Sequence, residues 1–395
     1  WRLWILLVWP TNDEQSCHRY AFRSGCWKRK HRTRWFRRLV IITRTNISKF
    51  IALVVGLVCV YFAYDYNQKN NYLYQGKIYG TYWKISSKEF INQQYIDEIE
   101  DILDKIDLIA SNYKPNSEVN KLNFYNIDEK FFLSDELYEI IKIALDVSDK
   151  TNGVYDITVG SLVNNLGFGP NLFLDKQYVY ESYLLKFSID DQNKIITKHK
   201  DVVFDLSSVA KGYAVDAVSN YLLENGFNNY LVDIGGEIAA NGSSKNGIWT
   251  IGIQNPQSLQ QNVSFTVPNS NKFIGVATSG DYLNFKYLDG ELVSHSIDPR
   301  INKSKHNNVL SVTVLDESSV SRADAFATAF NIMSLDESIE LSESLGIKIK
   351  IIYASDGLIK YFESKSWQNI NYDWDINSIF CFCTCNLWTC CRFYF

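Results

Sequence analysis

The chain has 395 residues, which is enough for one large domain or for two or three smaller ones. Hydrophobic residues make up 46% of it and charged residues 21%, so a mostly disordered chain, a collagen-like fibre and a polytopic membrane protein are excluded. The formal net charge of -4 argues against nucleic acid as the main partner.

The two ends of the chain differ in composition from its middle. Residues 1–50 carry twelve Lys and Arg against two acids, and five of the ten Trp lie in the first 35 residues. The only Met is Met333 and the chain begins with Trp. Cys is absent between 60 and 380, which excludes a disulfide, a thiolate metal site or a Cys nucleophile from the middle. Our hypothesis is that the basic segment 1–42 and the Cys-rich tail 369–395 are translated flanking sequence.

An apolar segment follows the basic start. Phe50–Tyr64 contains no charge, with Lys49 before it and Asp65 after it. Fifteen residues fall short of the roughly 20 that span a bilayer, and they also suit the apolar region of a signal peptide. Cys59 would allow lipid attachment, although the residue before it is a poor match to such sites. We predict a signal or anchor helix over 43–66, with an uncleaved anchor favoured over a cleaved signal or a lipoprotein.

The body, at 70–368, alternates irregularly between predicted helices and strands. Apolar residues at helical spacing predict four helices, around Ile96–Ile106, Leu137–Leu145, Val209–Leu223 and Ala323–Ile332. Runs of β-formers predict five strands, at Val202–Leu206, Tyr230–Ile234, Trp249–Ile253, Ser311–Leu315 and Ile347–Tyr353. Several strand pairs have short links, which favours an α+β fold over a doubly wound sheet.

Polar residues gather where a predicted strand meets a predicted helix. In Asp205–Asp216 serines stand at the junction, the free N–H groups of the helix start can bind an anion, and Lys211 adds positive charge. A capped helix with a surface lysine is the alternative interpretation. Gly235-Gly236 follow a buried strand and permit close backbone approach to a ligand, or simply form a tight turn.

Two further stretches carry chemistry. Asp324 and Thr328 are four residues apart and share a helix face, and such oxygen ligands suit Mg²⁺, although an exposed Asp is the alternative. Thr278–Tyr282 and Ser294–Arg300 are polar and turn-rich, and the second contains His295. The P-loop, Rossmann and G-x-S-x-G motifs are all absent from the sequence.

Nine motifs in one order, over about 75 to 357, carry a resemblance to a known family. They are Tyr79–Trp83, Tyr113–Asn123, Gly153–Gly160, Gly167–Pro170, Asp205–Asp216, Gly235-Gly236, Thr278–Tyr282, His295–Arg300 and Asp324–Thr328. Each motif is weak alone, but their order is specific. The sequence resembles the ApbE family, the FAD:protein FMN transferases.

The resemblance implies a two-lobed α+β catalytic unit of mixed sheets and packed helices, the flavin transferase domain at 70–368. FAD, the substrate, would lie in a cleft between the lobes with Mg²⁺ near its pyrophosphate. The residues implied to contact FAD are Tyr79, Tyr113, Val154, Tyr155, Asp156, Asp205, Lys211 and Ile297. The implied metal ligands are Asp324, Thr328 and the main-chain oxygen of Ser208, and His295 is the implied catalytic base.

The activity that the resemblance implies is Mg²⁺-dependent transfer of FMN from FAD to a Thr or Ser hydroxyl of a target protein, with release of AMP. Hydrolysis of FAD to FMN and AMP, or flavin binding without catalysis, are the alternatives. The implied partners are subunits of Na⁺-pumping or Rnf-type redox complexes and other extracytoplasmic flavoproteins. Basic residues before the apolar segment would place the body on the periplasmic side of a bacterial inner membrane.

Two positions depart from the usual pattern of the family. Ile301-Asn302 follow Arg300, where the family usually has Thr-Gly. Glu237 follows the paired glycines, where Asp or Asn is commoner. The first change puts the local turn in question, and the second is mild.

Overall fold

The structure is a computed structural model and describes residues 48–65, 70–170, 172–173, 176–254, 263–269, 271–280, 285–288, 291–294, 296–305 and 307–369. Contacts divide the chain into two units, Trp1–Asn67 and Gln68–Phe395. The predicted flanking segment 1–42 lies outside the described residues, as does the predicted tail 369–395 apart from Asn369.

In the first unit, helix α1 spans Ser48–Asp65. It has 18 residues and a mean hydropathy of 1.6, and among the described residues it is the one helix long and apolar enough to cross a membrane. Its position agrees with the helix predicted over 43–66. A signal sequence has the same length and composition, so the helix alone does not separate an anchor from a signal.

The second unit contains the remaining elements of the described chain. Its strands are β1 (Tyr72–Ile78), β2 (Thr81–Ser87), β3 (Lys130–Phe132), β4 (Phe187–Asp190), β5 (Ile195–Lys198), β6 (Tyr230–Ile234), β7 (Glu237–Asn241), β8 (Ser243–Ser244), β9 (Gly247–Ile248), β10 (Thr250–Gln254), β11 (Val263–Pro268), β12 (Ile274–Gly280), β13 (Phe285–Leu288), β14 (Glu291–Ser294), β15 (Ile297–Asp298), β16 (Lys303–Ser304), β17 (Val309–Asp316), β18 (Lys348–Ser355) and β19 (Leu358–Glu363). Its helices are α2 (Gln93–Ala110), α3 (Glu118–Phe124), α4 (Asp135–Lys150), α5 (Gly160–Asn165), α6 (Ala210–Glu224), α7 (Val320–Ile332), α8 (Leu335–Leu345) and α9 (Lys365–Gln368).

Eight strands form the main sheet in the order β1-β2-β6-β7-β12-β17-β18-β19. Each neighbouring pair in it is antiparallel. The expected α+β class is therefore confirmed. The fold combines helices with sheets, and the strands of the main sheet are antiparallel.

The main sheet buries side chains on both faces. Trp83 and Val232 pack with apolar residues of α2 and α6 on one face, and α7 covers the same face beside β12 and β17. On the other face Val276 packs with Ile251 of β10 and with Trp367 of α9. Neighbouring residues of a strand point to opposite faces, so β7 contributes Ala239 to one cluster of buried side chains and Ala240 to another.

Helices α6 and α7 cross at very short range, and two residues of α6 explain the contact. The carboxylate of Asp216 accepts hydrogen bonds from the main-chain N–H groups of Val320 (2.7 Å) and Ser321 (2.9 Å) at the start of α7. One turn earlier stands Gly212, where a Cβ atom would lie 2.6 Å from the Cα of Ser321. Asp216 therefore caps α7, and Gly212 provides the space that brings the two helices together.

Gly212→Ala should destabilise the body by about 1–3 kcal/mol, because the new methyl group meets main-chain atoms of α7 that cannot move aside. The free energy of unfolding from urea titration would measure the change. Asn220→Ala, on the exposed side of α6, is the matched control and should alter stability by less than about 0.5 kcal/mol. Equal stability of Gly212→Ala and the parent would contradict the close contact.

One predicted strand is wrong. Residues 202–206 have strand-like sequence but form only an isolated bridge, between Val203 and Val159. The side-chain amide of Asn123 binds both the N–H (2.7 Å) and the C=O (3.0 Å) of Phe204, and Asn112 donates to the same carbonyl (2.7 Å). These amides occupy the main-chain groups that a strand partner would use. The other four predicted strands and all four predicted helices are present within a few residues of their expected bounds.

Candidate active site

A cavity of about 670 Å³ opens where α6 begins, beside the end of β12 and the middle of α7. A second cavity of about 550 Å³ adjoins it, because both are lined by Asn112, Tyr113, Ser207 and Lys211. We call the two adjoining cavities together the cleft, and Lys211 borders both of them.

The structure brings the residues singled out in the sequence to this cleft. Ten of them line the larger cavity: Tyr113, Val154, Tyr155, Asp156, Asp205, Ser208, Lys211, Ile297, Asp324 and Thr328. Tyr79 lines the adjoining cavity, where its hydroxyl donates to the carbonyl of Leu103 (3.0 Å). His295 lies outside the described residues.

The segment before α6 is held in shape by its own side chains. One carboxylate oxygen of Asp205 accepts hydrogen bonds from the N–H (2.9 Å) and the hydroxyl (2.6 Å) of Ser207. The main-chain N–H of Asp205 donates to the carbonyl of Ile157 (2.7 Å), which joins this segment to the loop 153–159. The hydroxyl groups of Tyr155 and Ser208 lie 2.8 Å apart and tie the same two segments together. The predicted junction is therefore an ordered wall of the cavity.

Asp324 and Thr328 lie one turn apart on α7 and both face the cavity. Asp324 is 3% exposed, and its carboxylate accepts a hydrogen bond from the N–H of Gly212 (3.1 Å). Burial, with the negative charge of Glu237, raises the pKa of Asp324 to about 8. The hydroxyl of Thr328 lies 3.3 Å from that of Ser279 on β12. The predicted sharing of one helix face holds, and the positive charge of Lys211 favours the ionised form of Asp324.

Glu237 also lines the cavity, whereas the sequence indicated only that it differs from the Asp or Asn that is commoner in the family. Its side chain is 4% exposed and one carboxylate oxygen, Oε1, lies 2.5 Å from the Nζ atom of Lys211. Burial disfavours the ammonium of Lys211, but the charges of Glu237 and Asp324 outweigh it and raise its pKa. Burial raises the pKa of Glu237, and Lys211 opposes this change. The turn at Gly235-Gly236 was the signal in the sequence, since it delivers Glu237 to the cavity.

The sequence did not indicate that Asp156 and Lys186 form a buried ion pair. The Nζ atom of Lys186 lies 2.7 Å from Oδ2 of Asp156 and donates to the hydroxyl of Thr158 (2.8 Å). Tyr178 donates to the same carboxylate oxygen (2.7 Å). The side chains of Lys186 and Asp156 are 2% and 8% exposed. Both oxygens of Asp156 are therefore used within the protein, since Oδ1 accepts from the N–H and the hydroxyl of Thr158.

The unusual turn after Arg300 closes in this chain without the usual glycine. Asn302 has a φ of 55°, in the left-handed region that Asn adopts more readily than most residues. The guanidinium of Arg300 donates to the carboxylate of Asp298 (2.8 Å from Nη2), and the N–H of Ile301 donates to the carbonyl of Asp298 (3.3 Å). Asn302 therefore replaces glycine at the one position where the backbone requires positive φ.

The residues of the cavity fit a hard divalent cation. Lys211 is the one basic side chain among the described residues that line the larger cavity, against the carboxylates of Asp156, Asp205, Glu237 and Asp324. Among the residues that the structure describes, no three His, Cys, Asp or Glu side chains come together as a metal cluster. Hydroxyl and main-chain oxygens would therefore have to complete a coordination sphere around Asp324, and such oxygen ligands are the ones that Mg²⁺ prefers.

The fold and the cleft define an α+β domain of the flavin transferase class. The structure of the flavin transferase ApbE from Vibrio cholerae matches with a TM-score of 0.65 and 30% identity, covering 76% of this chain and 99% of that one. The ApbE protein from Thermotoga maritima matches with a TM-score of 0.64 and 25% identity, over 76% of this chain and 99% of its own.

The chain belongs to the ApbE family, whose family model matches residues 79–352. A relative from Vibrio cholerae named FAD:protein FMN transferase is 33% identical over 279 residues, which is 69% of this chain and 83% of the relative. Another of that name, from Buchnera aphidicola, is 31% identical over 317 residues, 76% of this chain and 92% of the relative. The family resemblance expected from the nine motifs is thereby confirmed.

Proposed function

We propose that this protein is a transferase that moves FMN from FAD to a target protein. The observation that carries the proposal is the cleft itself, where Lys211 borders both adjoining cavities and the buried carboxylate of Asp324 on α7 lines the larger one. Relatives over most of the chain bear the name of that activity. A long dinucleotide such as FAD needs an extended cleft with a cationic group near its pyrophosphate.

We assign the flavin contacts to the residues that line this cleft. Lys211 would bind a phosphoryl oxygen from its position beside both cavities. The free helix start expected at α6 is largely absent, because the N–H groups of Ala210 and Gly212 donate to the carbonyl of Leu206 and the carboxylate of Asp324. Tyr79 and Tyr113 would border the ligand in the adjoining cavity. The wall formed by Val154–Asp156 would be fixed by the ion pair with Lys186. Each of these groups binds or orients the substrate, so none of them has to exchange a proton.

The proposed cation site consists of Asp324, Thr328 and the main-chain oxygen of Ser208. When bound there, Mg²⁺ would offset the charge of the pyrophosphate and of the departing AMP. The carboxylate of Asp324 is preset for this role by its hydrogen bond from Gly212, which fixes its orientation. The four lining carboxylates would otherwise repel an anionic substrate from the cavity.

The reaction that we propose is a phosphoryl substitution. The hydroxyl oxygen of an acceptor Thr or Ser bonds to the phosphorus of the FMN half, and the bond between that phosphorus and the bridging oxygen breaks. AMP leaves with the bridging oxygen and the electron pair. His295 takes the proton of the hydroxyl, a role assigned from the family resemblance alone.

Incubation of the purified protein with FAD, MgCl₂ and a purified subunit of an Rnf-type redox complex would test the proposal. We expect the mass of the acceptor to rise by one FMN unit, and AMP to appear in equal amount. Replacing MgCl₂ by EDTA should stop both. Free FMN and AMP without modified acceptor would instead indicate FAD hydrolysis, and bound but intact FAD would indicate a flavin-binding protein.

We also propose that α1 is a membrane anchor and that the body acts outside the cytoplasm on extracytoplasmic flavoproteins. Arg44 and Lys49, at the N-terminal end of the apolar segment, support this orientation. Subunits of Na⁺-pumping or Rnf-type redox complexes are the partners that the family resemblance implies.

Protease added to cells with a permeabilised outer envelope should digest the chain beyond Asp65, because the body would be exposed to the periplasm. Immunoblotting with an antibody against the body would measure the digestion, and a cytoplasmic protein that stays intact is the control. Digestion of the body only after complete lysis would place it in the cytoplasm, and the proposed partners would then be wrong.

A further inference from the structure

Glu237 is buried in the cleft, yet none of the functions assigned above uses it. It is the first residue of β7 and follows Gly235 and Gly236, whose φ values are 61° and 105°. This turn delivers the carboxylate to the cavity wall, where it is 4% exposed. Its Oε1 atom lies 2.5 Å from Nζ of Lys211. Its Oε2 atom is buried and has no hydrogen-bond partner among the described residues.

The unpartnered Oε2 atom argues against a purely structural role for Glu237. A carboxylate that serves the fold usually has both oxygens in hydrogen bonds, as Asp156 and Asp216 do in this chain. Lys211 is the one described side chain that hydrogen-bonds to the Glu237 carboxylate, which otherwise interacts with its own main-chain N–H. A buried ion pair is also weak evidence for stability, because desolvation of the two charges offsets their attraction. The pair is therefore better explained by the position that it gives to Lys211.

Lys211 is arranged so that it can bind a ligand while it stays attached to Glu237. An ammonium group has three donors, and Glu237 accepts from one of them. The side chain of Lys211 is 35% exposed, and it borders both cavities. The remaining donors are thus available on the side where the cleft is open.

We propose that Glu237 is a positioning residue of the active site, which holds the ammonium of Lys211 where it binds the pyrophosphate of the substrate. The inference rests on the proposed function, since it takes FAD as the ligand of Lys211. Glu237 touches neither the substrate nor the reacting atoms, and it acts through Lys211. A flexible lysine that is restrained in its binding position loses less conformational freedom when the ligand arrives.

The sign of one substitution separates positioning from plain electrostatics. Glu237→Gln keeps the shape of the side chain but removes a negative charge beside the binding site of an anion. Electrostatics alone predicts tighter binding of FAD by this variant. Positioning predicts weaker binding, because a neutral amide holds the ammonium less strongly, and we expect the Kd for FAD to rise about tenfold.

A double-mutant cycle provides the test. The Kd for FAD is measured by fluorescence titration in MgCl₂ for the parent, Glu237→Gln, Lys211→Met and the double variant. If Glu237 acts through Lys211, then Glu237→Gln should change the Kd less than about twofold once Lys211 is Met. Asp101→Asn, at an exposed carboxylate of α2 that lines neither cavity, is the matched control and should bind FAD like the parent.

The outcomes distinguish this proposal from the proposed function. Tighter or unchanged binding by Glu237→Gln, or a full tenfold effect in the Lys211→Met background, would overturn the positioning role. A melting temperature close to that of the parent is expected for Glu237→Gln, so that lost affinity reflects the site and not unfolding. FAD binding without flavin transfer by the parent would overturn only the proposed function. No FAD binding by the parent would overturn both.

Discussion

Asp324→Ala should lower the rate of flavin transfer by about 10²-fold or more while part of the FAD affinity survives. The variant loses the charged oxygen proposed to hold the cation, and stabilisation of developing charge by a bound cation contributes several kcal/mol to such reactions. The variant keeps Lys211, Asp205 and Tyr113, which line the cleft and are the contacts proposed for FAD. Initial rates of acceptor modification at several MgCl₂ concentrations, with FAD titrations in parallel, would measure both effects.

A second substitution at the same position separates charge from shape. Asp324→Asn keeps an oxygen that can accept from the N–H of Gly212, so the crossing of α6 and α7 should persist. Its transfer rate should nevertheless fall with that of the Ala variant, because the amide carries no charge. Asp336→Ala, at an exposed carboxylate in the first turn of α8, should keep the parent rate. Unchanged turnover of Asp324→Ala at limiting MgCl₂ would remove α7 from the proposed metal site.

Lys186→Met should destabilise the body by about 3–5 kcal/mol, because it leaves the carboxylate of Asp156 buried without its cation. The aromatic ring of Tyr178 also loses the ammonium that lies 4.6 Å from its centroid. Urea unfolding of the purified protein would measure the loss.

Two comparisons make this stability prediction specific. The double variant Lys186→Met with Asp156→Asn has no buried charge left alone and should recover much of the lost stability. Lys142→Met removes an exposed ion pair with Asp191, at 3.2 Å, and should cost less than about 1 kcal/mol. If Lys186→Met lowered the free energy of unfolding by no more than Lys142→Met does, the expected penalty for leaving Asp156 buried without its cation would be contradicted.

The sequence was most informative where a function depends on neighbours along the chain. Asp324 and Thr328 lie four residues apart on one helix, so their common face could be predicted from helix geometry alone. The turn at Asp205 is likewise local, because its carboxylate accepts from the N–H of Ser207 two residues later. These parts of the fold and of the candidate site could therefore be predicted from the amino-acid sequence.

The remaining features depend on contacts between distant parts of the chain. Lys186 precedes a short strand and resembles an ordinary surface lysine, and only the fold buries it against Asp156. Glu237 and Lys211 meet because β7 and α6 pack together. The strand expected at 202–206 fails for a similar reason, because Asn112 and Asn123 reach it from elsewhere. Patterns of hydrophobicity do not record such pairings.

The strand order of the main sheet has a consequence for how this protein is made. The early strand β2 pairs with β6 in the register Trp83 to Ile234, and β7 pairs with β12 in the register Ile238 to Val276. The sheet is completed only by β17, β18 and β19, near the end of the body. A growing chain therefore cannot close its sheet until most of the body has left the ribosome, and folding will be slow because it waits for partners far away in sequence.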